Sequence, residues 1–180
     1  MSTTTEQSTH HHLHYLQICL SEARKSPPKP TNFCVGALLL HAPPSHSPRI
    51  LVTGYTLEAP GNTHAEQSCF VKLAEAEGLT EERVCEVLPD EHVVLYTTME
   101  PCWKRSPGNL SCVERIVRAQ KIRTVVCGVE EPETFVGENK GRQILRDAGI
   151  EVVYVQGLEE EILKVATAGH VKGETSKDVS

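Results

Sequence analysis

Three residues of metal-binding type and one carboxylate are notable in the sequence for their spacing. Glu66 follows His64 after one residue, and Cys102 and Cys112 lie further along with nine residues between them. Zinc accepts imidazole and thiolate ligands, and three protein ligands leave its fourth tetrahedral position open for water. An open position is typical of catalytic zinc, because structural zinc sites have four protein ligands. The spacing therefore predicts a catalytic zinc site.

Glu66 is predicted to move protons and not to bind the metal. Two thiolates neutralise much of the charge of zinc, so a water bound there is acidified less than in an all-histidine site and needs a general base. The spacing differs from the His-Glu-x-x-His helix of metalloproteases, in which both histidines bind zinc. An alternative is two buried structural cysteines with a helix-capping histidine. Cys69 would lie some 140° around the helix from His64, so it is assigned to the core.

Composition and charge restrict the class of protein. A chain of 180 residues predicts one domain, and a net charge of −6 argues against a nucleic-acid partner. No apolar run reaches the roughly 20 residues that span a bilayer, and the N-terminus has no apolar segment typical of a signal peptide. Seven cysteines in such a chain favour reduced thiols and a metal site. We expect a cytoplasmic protein with no membrane partner.

The pattern along the chain predicts a folded domain over 13–168, between a disordered tail over 1–12 and a polar tail over 169–180. Apolar runs bounded by turn residues predict strands, and amphipathic stretches predict helices. The predicted strands are 34–40, 49–57, 92–98, 124–129 and 150–155. The predicted helices are 13–26, 64–77, 81–87, 112–120, 138–148 and 158–168.

The order of these elements predicts the architecture. The first two strands are expected to pair antiparallel, and strands alternate with helices from the third strand onward. Such crossovers imply parallel strands with helices on both faces of the sheet. The prediction is an α/β fold, a three-layer α/β/α sandwich around a five-stranded mixed sheet. The site is expected at the carboxyl ends of the strands.

The motif residues resemble those of a known superfamily. His64-Ala65-Glu66, followed by Pro101-Cys102 and by Cys112, resembles the signature of the cytidine deaminase superfamily. Four further stretches resemble the pyrimidine deaminases of riboflavin biosynthesis, and in particular their fungal branch. These stretches are Thr31 to Gly36, Gly61 to Gln67, Thr98 to Cys112 and Gly141 to Val152. Bacterial members of that family space the two cysteines one residue closer than this chain does.

The resemblance implies a cytidine deaminase-like fold and a zinc-dependent hydrolase acting on a cyclic amidine C–N bond. His64, Cys102 and Cys112 are implied as zinc ligands, and Glu66 as the residue that passes protons from zinc-bound water to the ring nitrogen and the leaving ammonia. In the fungal order of the pathway, reduction of the sugar precedes deamination. The implied substrate is therefore 2,5-diamino-6-ribitylamino-4(3H)-pyrimidinone 5′-phosphate. A homodimer is left open.

The resemblance also implies substrate contacts. The Ala65 N–H and Asn32 are expected to hold the pyrimidine, with Asn109 from the loop between the cysteines. Trp103 could stack on the ring or pack at the rim, and Asn32 could instead be a turn residue. Lys104 and Arg105 could neutralise the phosphate or be solvated loop charges. Arg105 ranks above Lys104, because its planar fork matches phosphate oxygens.

Other functions share the zinc chemistry. A tRNA adenosine or cytosine deaminase would require cations that follow the phosphate backbone, and this chain has no basic stretch. A deaminase of free nucleosides or nucleotides stays open, because neither motif reads the sugar. An inactive zinc-bearing subunit would usually lack the carboxylate that Glu66 supplies.

Overall fold

A five-stranded mixed sheet forms the middle layer of the protein. The computed structural model describes residues 3–105, 108–131 and 140–170. Its elements are, in chain order, α1 (Thr3–Ala23), β1 (Gly36–His41), β2 (Arg49–Tyr55), α2 (Ala65–Glu75), a 3₁₀ helix (Glu81–Glu86), β3 (Val93–Met99), α3 (Cys112–Arg118), β4 (Ile122–Val129), α4 (Gly141–Asp147), β5 (Glu151–Tyr154) and α5 (Glu159–Ala166).

The strand directions bring several loops to one edge of the sheet. The strand order is β2-β1-β3-β4-β5. β1 is antiparallel to both β2 and β3, whereas β3, β4 and β5 are parallel. Gly36 at the start of β1 therefore pairs with Tyr55 near the end of β2, and Ala37 pairs with Thr97 near the end of β3. The segment before β1 and the segments after β2, β3 and β4 consequently meet at this edge.

Helices cover both faces of the sheet, which confirms the predicted three-layer sandwich. One apolar core joins the sheet to α2, α3 and α4, and the other joins it to α1 and α5. Successive residues of β1 alternate between the two cores, with Ala37 and Leu39 in the first and Leu38 and Leu40 in the second. Because both faces are covered, all four are buried, which explains the unbroken apolar run in the sequence.

The first helix begins ten residues earlier than predicted, so the prediction of a disordered tail over 1–12 is wrong for residues 3–12. α1 begins at Thr3, and residues 1 and 2 lie outside the described residues. His12 Nδ1 lies 2.9 Å from the Tyr96 hydroxyl, and the Tyr15 and Tyr96 rings pack with centroids 5.0 Å apart. The histidine run has no apolar periodicity, so this long-range contact could not be read from the sequence.

The other boundaries differ from prediction by a few residues. β2 ends at Tyr55 and not at position 57, because Leu57 adopts a positive φ of 66° in the turn that follows. Of the predicted C-terminal tail, 171–180 lies outside the described residues, as does the predicted start of α4 at 138–139. His170 Nε2 lies 3.1 Å from the Asn32 carbonyl oxygen, so the chain up to this point packs against the domain. Among the described residues, no helix combines the length and apolarity needed to cross a membrane.

Packing of α5 on the sheet gives a direct test of the fold. Ile162 is 1% exposed in the core under α5, whereas its neighbour Leu163 is 41% exposed. Ile162→Ala should lower the free energy of unfolding by roughly 2–5 kcal/mol, because it leaves a cavity. Leu163→Ala is the matched control and should change it by less than about 0.5 kcal/mol. Urea denaturation measures both; equal losses would contradict this placement of α5.

Candidate active site

Two helix N-termini present His64 and Cys112 to the same point. His64 is the N-cap of α2 and has extended backbone angles, yet its side chain makes no capping hydrogen bond. Cys112 is the first residue of α3 and follows Ser111, which forms a reciprocal capping box with Glu114. The imidazole of His64 faces the cysteines instead of capping its helix. This geometry speaks against the capping-histidine alternative.

The three metal-binding side chains converge in the structure. The ligand atoms of His64, Cys102 and Cys112 all lie within 4.8 Å of one another. His64 Nδ1 lies 3.4 Å from Cys102 Sγ and 3.4 Å from Cys112 Sγ. Tetrahedral zinc, with bonds of about 2.05 Å to nitrogen and about 2.3 Å to sulfur, would separate such atoms by about 3.6 Å. The donor set and its spacing therefore fit zinc.

The protonation of the two cysteines also favours a metal. Hydrogen bonding from the Cys112 thiol, and then the proximity of His64, lower the pKa of Cys102. The pKa of Cys112 is raised, because its thiol donates the hydrogen bond to Cys102 and because Cys112 is fully buried. Binding of a divalent cation requires both thiols to ionise, so uptake of the metal would release a proton. Cys69 lies apart in the core between α2 and the sheet, fully buried.

Glu66 lies directly beside this cluster. It is 3% exposed, and its Oε2 lies 3.3 Å from Cys112 Sγ. Thr97 Oγ1 lies 3.5 Å from Glu66 Oε1 but 2.9 Å from the Met99 carbonyl oxygen, which is the better acceptor for its single proton. Burial raises the pKa of Glu66, and the nearby His64 opposes this. A raised pKa makes the Glu66 carboxylate a stronger base than a solvated one, which suits a group that accepts and returns a proton.

A cavity opens above His64, Glu66 and Cys102. Its volume is about 180 Å³, less than the roughly 300–1,000 Å³ of pockets that enclose a whole drug-sized ligand. A single pyrimidine ring fits inside, and longer substituents on the ring would extend past the rim. The walls come from the segment before β1 and the segments after β2, β3 and β4, as the strand directions require.

Asn32 and Lys104 are the two predicted substrate contacts that line this cavity. Asn32 Nδ2 donates to Asn62 Oδ1 over 3.1 Å, and Asn32 Oδ1 accepts from the Thr31 hydroxyl over 3.0 Å. Its amide is therefore held in place while keeping one N–H free to donate. Lys104 is exposed at the rim.

The remaining predicted contacts do not line the cavity. Arg105 donates to Gln67 Oε1 over 3.1 Å and also to the Asn62 carbonyl oxygen. Trp103 packs against the core, and its Nε1 is buried with no hydrogen-bond partner among the described residues. Asn109 is exposed on the loop, and Ala65 is buried as the first residue of α2. The N–H of Ala65 belongs to the first helical turn, where amides have no partner within the helix.

Two acidic residues of the cavity were missed by sequence reasoning. Glu100 follows β3 directly, and Glu131 comes two residues after the end of β4. Their signal was available, because polar residues immediately after parallel strands lie at the ligand-binding edge of an α/β sheet. Glu100 lies in the Thr98 to Cys112 stretch, and Glu131 lies between the predicted strand over 124–129 and the next predicted helix, where no site residue was predicted.

Comparison with known protein families gives a match over most of the folded domain. Residues 9–129 match the family described as the cytidine and deoxycytidylate deaminase zinc-binding region. The match includes His64, Glu66, Cys102 and Cys112. It ends at the last residue of β4, so Glu131 lies beyond it.

Fungal proteins are among those similar to this chain. The chain is 37% identical over 161 residues to a diaminohydroxyphosphoribosylamino-pyrimidine deaminase of Schizosaccharomyces pombe. That alignment covers 89% of this chain but 36% of the relative, so the chain spans about a third of that protein. A crystal structure of Aspergillus oryzae Rib2 deaminase, a C-terminal deletion mutant at pH 4.6, has a TM-score of 0.82 and 51% identity over 88% of this chain and 92% of that one.

A second structure of the Aspergillus oryzae enzyme is described as a complex with DARIPP. It has a TM-score of 0.80 and 49% identity, and the match covers 88% of this chain and 91% of that one.

Metal content tests the ligand assignment. Cys102→Ala and Cys112→Ala should each lose most of the roughly one equivalent of zinc expected per chain, and the melting temperature should fall because metal binding and folding are coupled. Inductively coupled plasma mass spectrometry of the purified protein measures this. Cys69→Ala is the control and should keep its zinc. Full retention of zinc in both ligand variants would contradict the assignment.

Proposed function

The chain belongs to the cytidine and deoxycytidylate deaminase family, and on this basis we propose that it hydrolyses the exocyclic amine of a phosphorylated ribitylaminopyrimidine. The observation that carries the proposal is a His-Cys-Cys cluster with a buried carboxyl beside it, at the floor of a ring-sized cavity. The substrate class is supported by the names of the similar fungal proteins. The proposed compound is 2,5-diamino-6-ribitylamino-4(3H)-pyrimidinone 5′-phosphate.

His64 Nδ1, Cys102 Sγ and Cys112 Sγ would hold zinc. Bound there, zinc would supply a Lewis acid that lowers the pKa of a water molecule in its open position. The two helix N-termini support the negative charge of the sulfurs, because the unpaired amides and the helix dipole favour anions there. The Cys112 N–H also points to Cys102 Sγ, over 3.5 Å.

Glu66 moves protons in this mechanism. It accepts the proton that water loses as its oxygen attacks the amine-bearing ring carbon. It delivers this proton to the ring nitrogen. It then takes the second proton from the new hydroxyl group as the ring carbon becomes a carbonyl, and passes it to the amine, which leaves as ammonia. The position of Glu66 supports this role, since Oε2 lies 3.3 Å from one sulfur and hence within reach of a reactant beside the cluster.

Pyrimidine binding is assigned to the residues that line the floor and wall of the cavity. The remaining N–H of Asn32 can donate to the ring, and the Ala65 N–H at the start of α2 can donate to the same edge. Trp103 and Asn109 would act indirectly, by shaping the loop between the cysteines.

We assign the binding of the phosphate to Lys104, although Arg105 was the preferred phosphate ligand in the prediction from sequence. The guanidinium of Arg105 already binds Gln67 and the Asn62 carbonyl, so it ties the loop to the segment around α2. Lys104 lines the cavity and is exposed. The small volume of the cavity supports this assignment, because a ribityl phosphate attached to a ring inside it would extend past the rim, where Lys104 is exposed.

Ammonia release with three substrates tests the proposed function. The purified protein should act on the ribityl pyrimidine phosphate far better than on its ribosyl counterpart or on cytidine 5′-monophosphate. Glu66→Gln should lower kcat by roughly 10²- to 10⁴-fold while keeping zinc, because only the proton transfer is lost. Glu75→Gln, an exposed acid on the same helix, is the matched control.

Two outcomes would contradict the assignment. A preference for cytidine 5′-monophosphate would replace the riboflavin-pathway substrate with a nucleotide. A fully active Glu66→Gln variant would show that another residue transfers the protons.

Phosphate recognition is tested with one substrate pair. Lys104→Ala should raise the KM for the phosphorylated pyrimidine by roughly tenfold, the scale of one lost charge-assisted hydrogen bond. Its effect on the dephosphorylated analogue should be small. Arg105→Ala should instead impair both substrates to a similar degree, because it loosens the loop. If Arg105→Ala impairs only the phosphorylated substrate, the two roles are reversed.

A further inference from the structure

Glu131 lines the cavity together with Glu66 and Cys102. Its Oε2 is buried and has no hydrogen-bond partner within the part of the chain that the structure describes. Buried side-chain oxygens are nearly always hydrogen-bonded, because an unpaired one has lost its water without replacement. An unpaired acceptor on a residue that lines a ligand cavity therefore gains a partner if the ligand brings a donor to it.

The backbone around Glu131 is held by a network that does not use its carboxyl group. Glu100 Oε2 accepts the backbone N–H of Glu131 over 3.3 Å. Glu100 Oε1 accepts the Tyr154 hydroxyl over 2.7 Å and lies 3.6 Å from Arg142 Nε. Arg142 in turn lies over the Tyr154 ring, 4.5 Å from its centroid. The buried Glu100 thus fixes the position of Glu131 and leaves the Glu131 side chain free for the cavity.

The electrostatics of Glu131 agree with a missing partner. Burial first, and then the charges of Cys102, Glu100 and Glu66, raise the pKa of Glu131 to about 8. Cys102, Glu100 and Glu66 line the same cavity as Glu131. A ligand N–H that donates to this carboxylate would offset the penalty of burying its charge.

We propose that Glu131 is a specificity-determining residue, whose carboxylate accepts the ring N–H adjacent to the amine-bearing carbon of the substrate. This inference rests on the proposed function and adds the ring pattern that the site selects. A 2-aminopyrimidin-4(3H)-one has a ring N–H at that position. Cytosine, linked to a sugar, has only acceptors and C–H groups around its reacting amine. Glu131 therefore favours the first ring and leaves its own acceptor unpaired with the second.

Two variants and one control isolate this contact. Glu131→Leu removes the acceptor, and Glu131→Gln keeps one acceptor oxygen without the charge. Glu130→Gln is the matched control, because Glu130 is exposed and binds Arg142 outside the cavity. Zinc content and melting temperature should match the wild type in all three variants, since the network around Glu100 does not involve the Glu131 carboxyl group.

Ammonia release is measured with the ribityl pyrimidine phosphate and with its analogue methylated at the ring N–H. The wild type should lose roughly 10- to 100-fold in kcat/KM on the methylated analogue, the scale of a hydrogen bond to a charged group. Glu131→Leu should lose a similar factor on the natural ring, mainly through KM, and should distinguish the two rings by less than about threefold. Glu131→Gln should fall between the two, and Glu130→Gln should behave as the wild type.

The same measurements distinguish a wrong role for Glu131 from a wrong substrate. If the wild type releases no ammonia from the ribityl pyrimidine phosphate, the proposed function is wrong and the inference falls with it. If the wild type is active but Glu131→Leu keeps the full preference for the unmethylated ring, Glu131 does not read the N–H. A Glu131→Leu variant with wild-type kcat/KM on the natural ring would equally overturn the inference.

Discussion

The rest of the site is organised by one close grouping of side chains. His64 Nδ1 lies 3.4 Å from each of two cysteine sulfurs, and the buried Glu66 carboxyl lies 3.3 Å from one of them. Two thiolates and a carboxylate cannot all ionise in a buried volume without a positive partner. A divalent cation would supply that partner and would allow Cys112 to ionise as well. Metal binding would then stabilise the arrangement and be coupled to folding.

The directions of the strands explain why these side chains lie close together. β1 runs against both of its neighbours, so the loops before β1 and after β2 and β3 share one edge of the sheet. The starts of α2 and α3 lie at this edge and provide His64 and Cys112. A hydrogen bond of 3.1 Å from the Val113 N–H to the Cys102 carbonyl joins the two cysteine segments. The site is thus built from strand and helix ends, which are more rigid than free loops.

Features that depend on local sequence patterns, such as hydrophobic periodicity and motif spacing, could be predicted from the sequence. The five-stranded mixed sheet and its three layers follow from periodicity, and the structure confirms them. Motif spacing grouped His64, Cys102 and Cys112, and their ligand atoms lie together. Contacts between distant segments could not be predicted in the same way. The helical turn around His12 depends on Tyr96, and the contacts of Arg105 depend on Gln67 and Asn62. The unpaired oxygen of Glu131 could not be predicted either, because it depends on the packing of the described residues around it.

The central claim is that one imidazole and two thiolates bind zinc and leave one position open. X-ray absorption at the zinc K edge of the purified protein measures the ligands directly. Zinc bound by His64, Cys102 and Cys112 should show two sulfur atoms at about 2.3 Å and two lighter atoms at about 2.0–2.1 Å, one of them the histidine nitrogen. A shell of three or four sulfurs would recruit a further cysteine and close the site. A shell without sulfur would place the metal elsewhere, and either result would contradict the account.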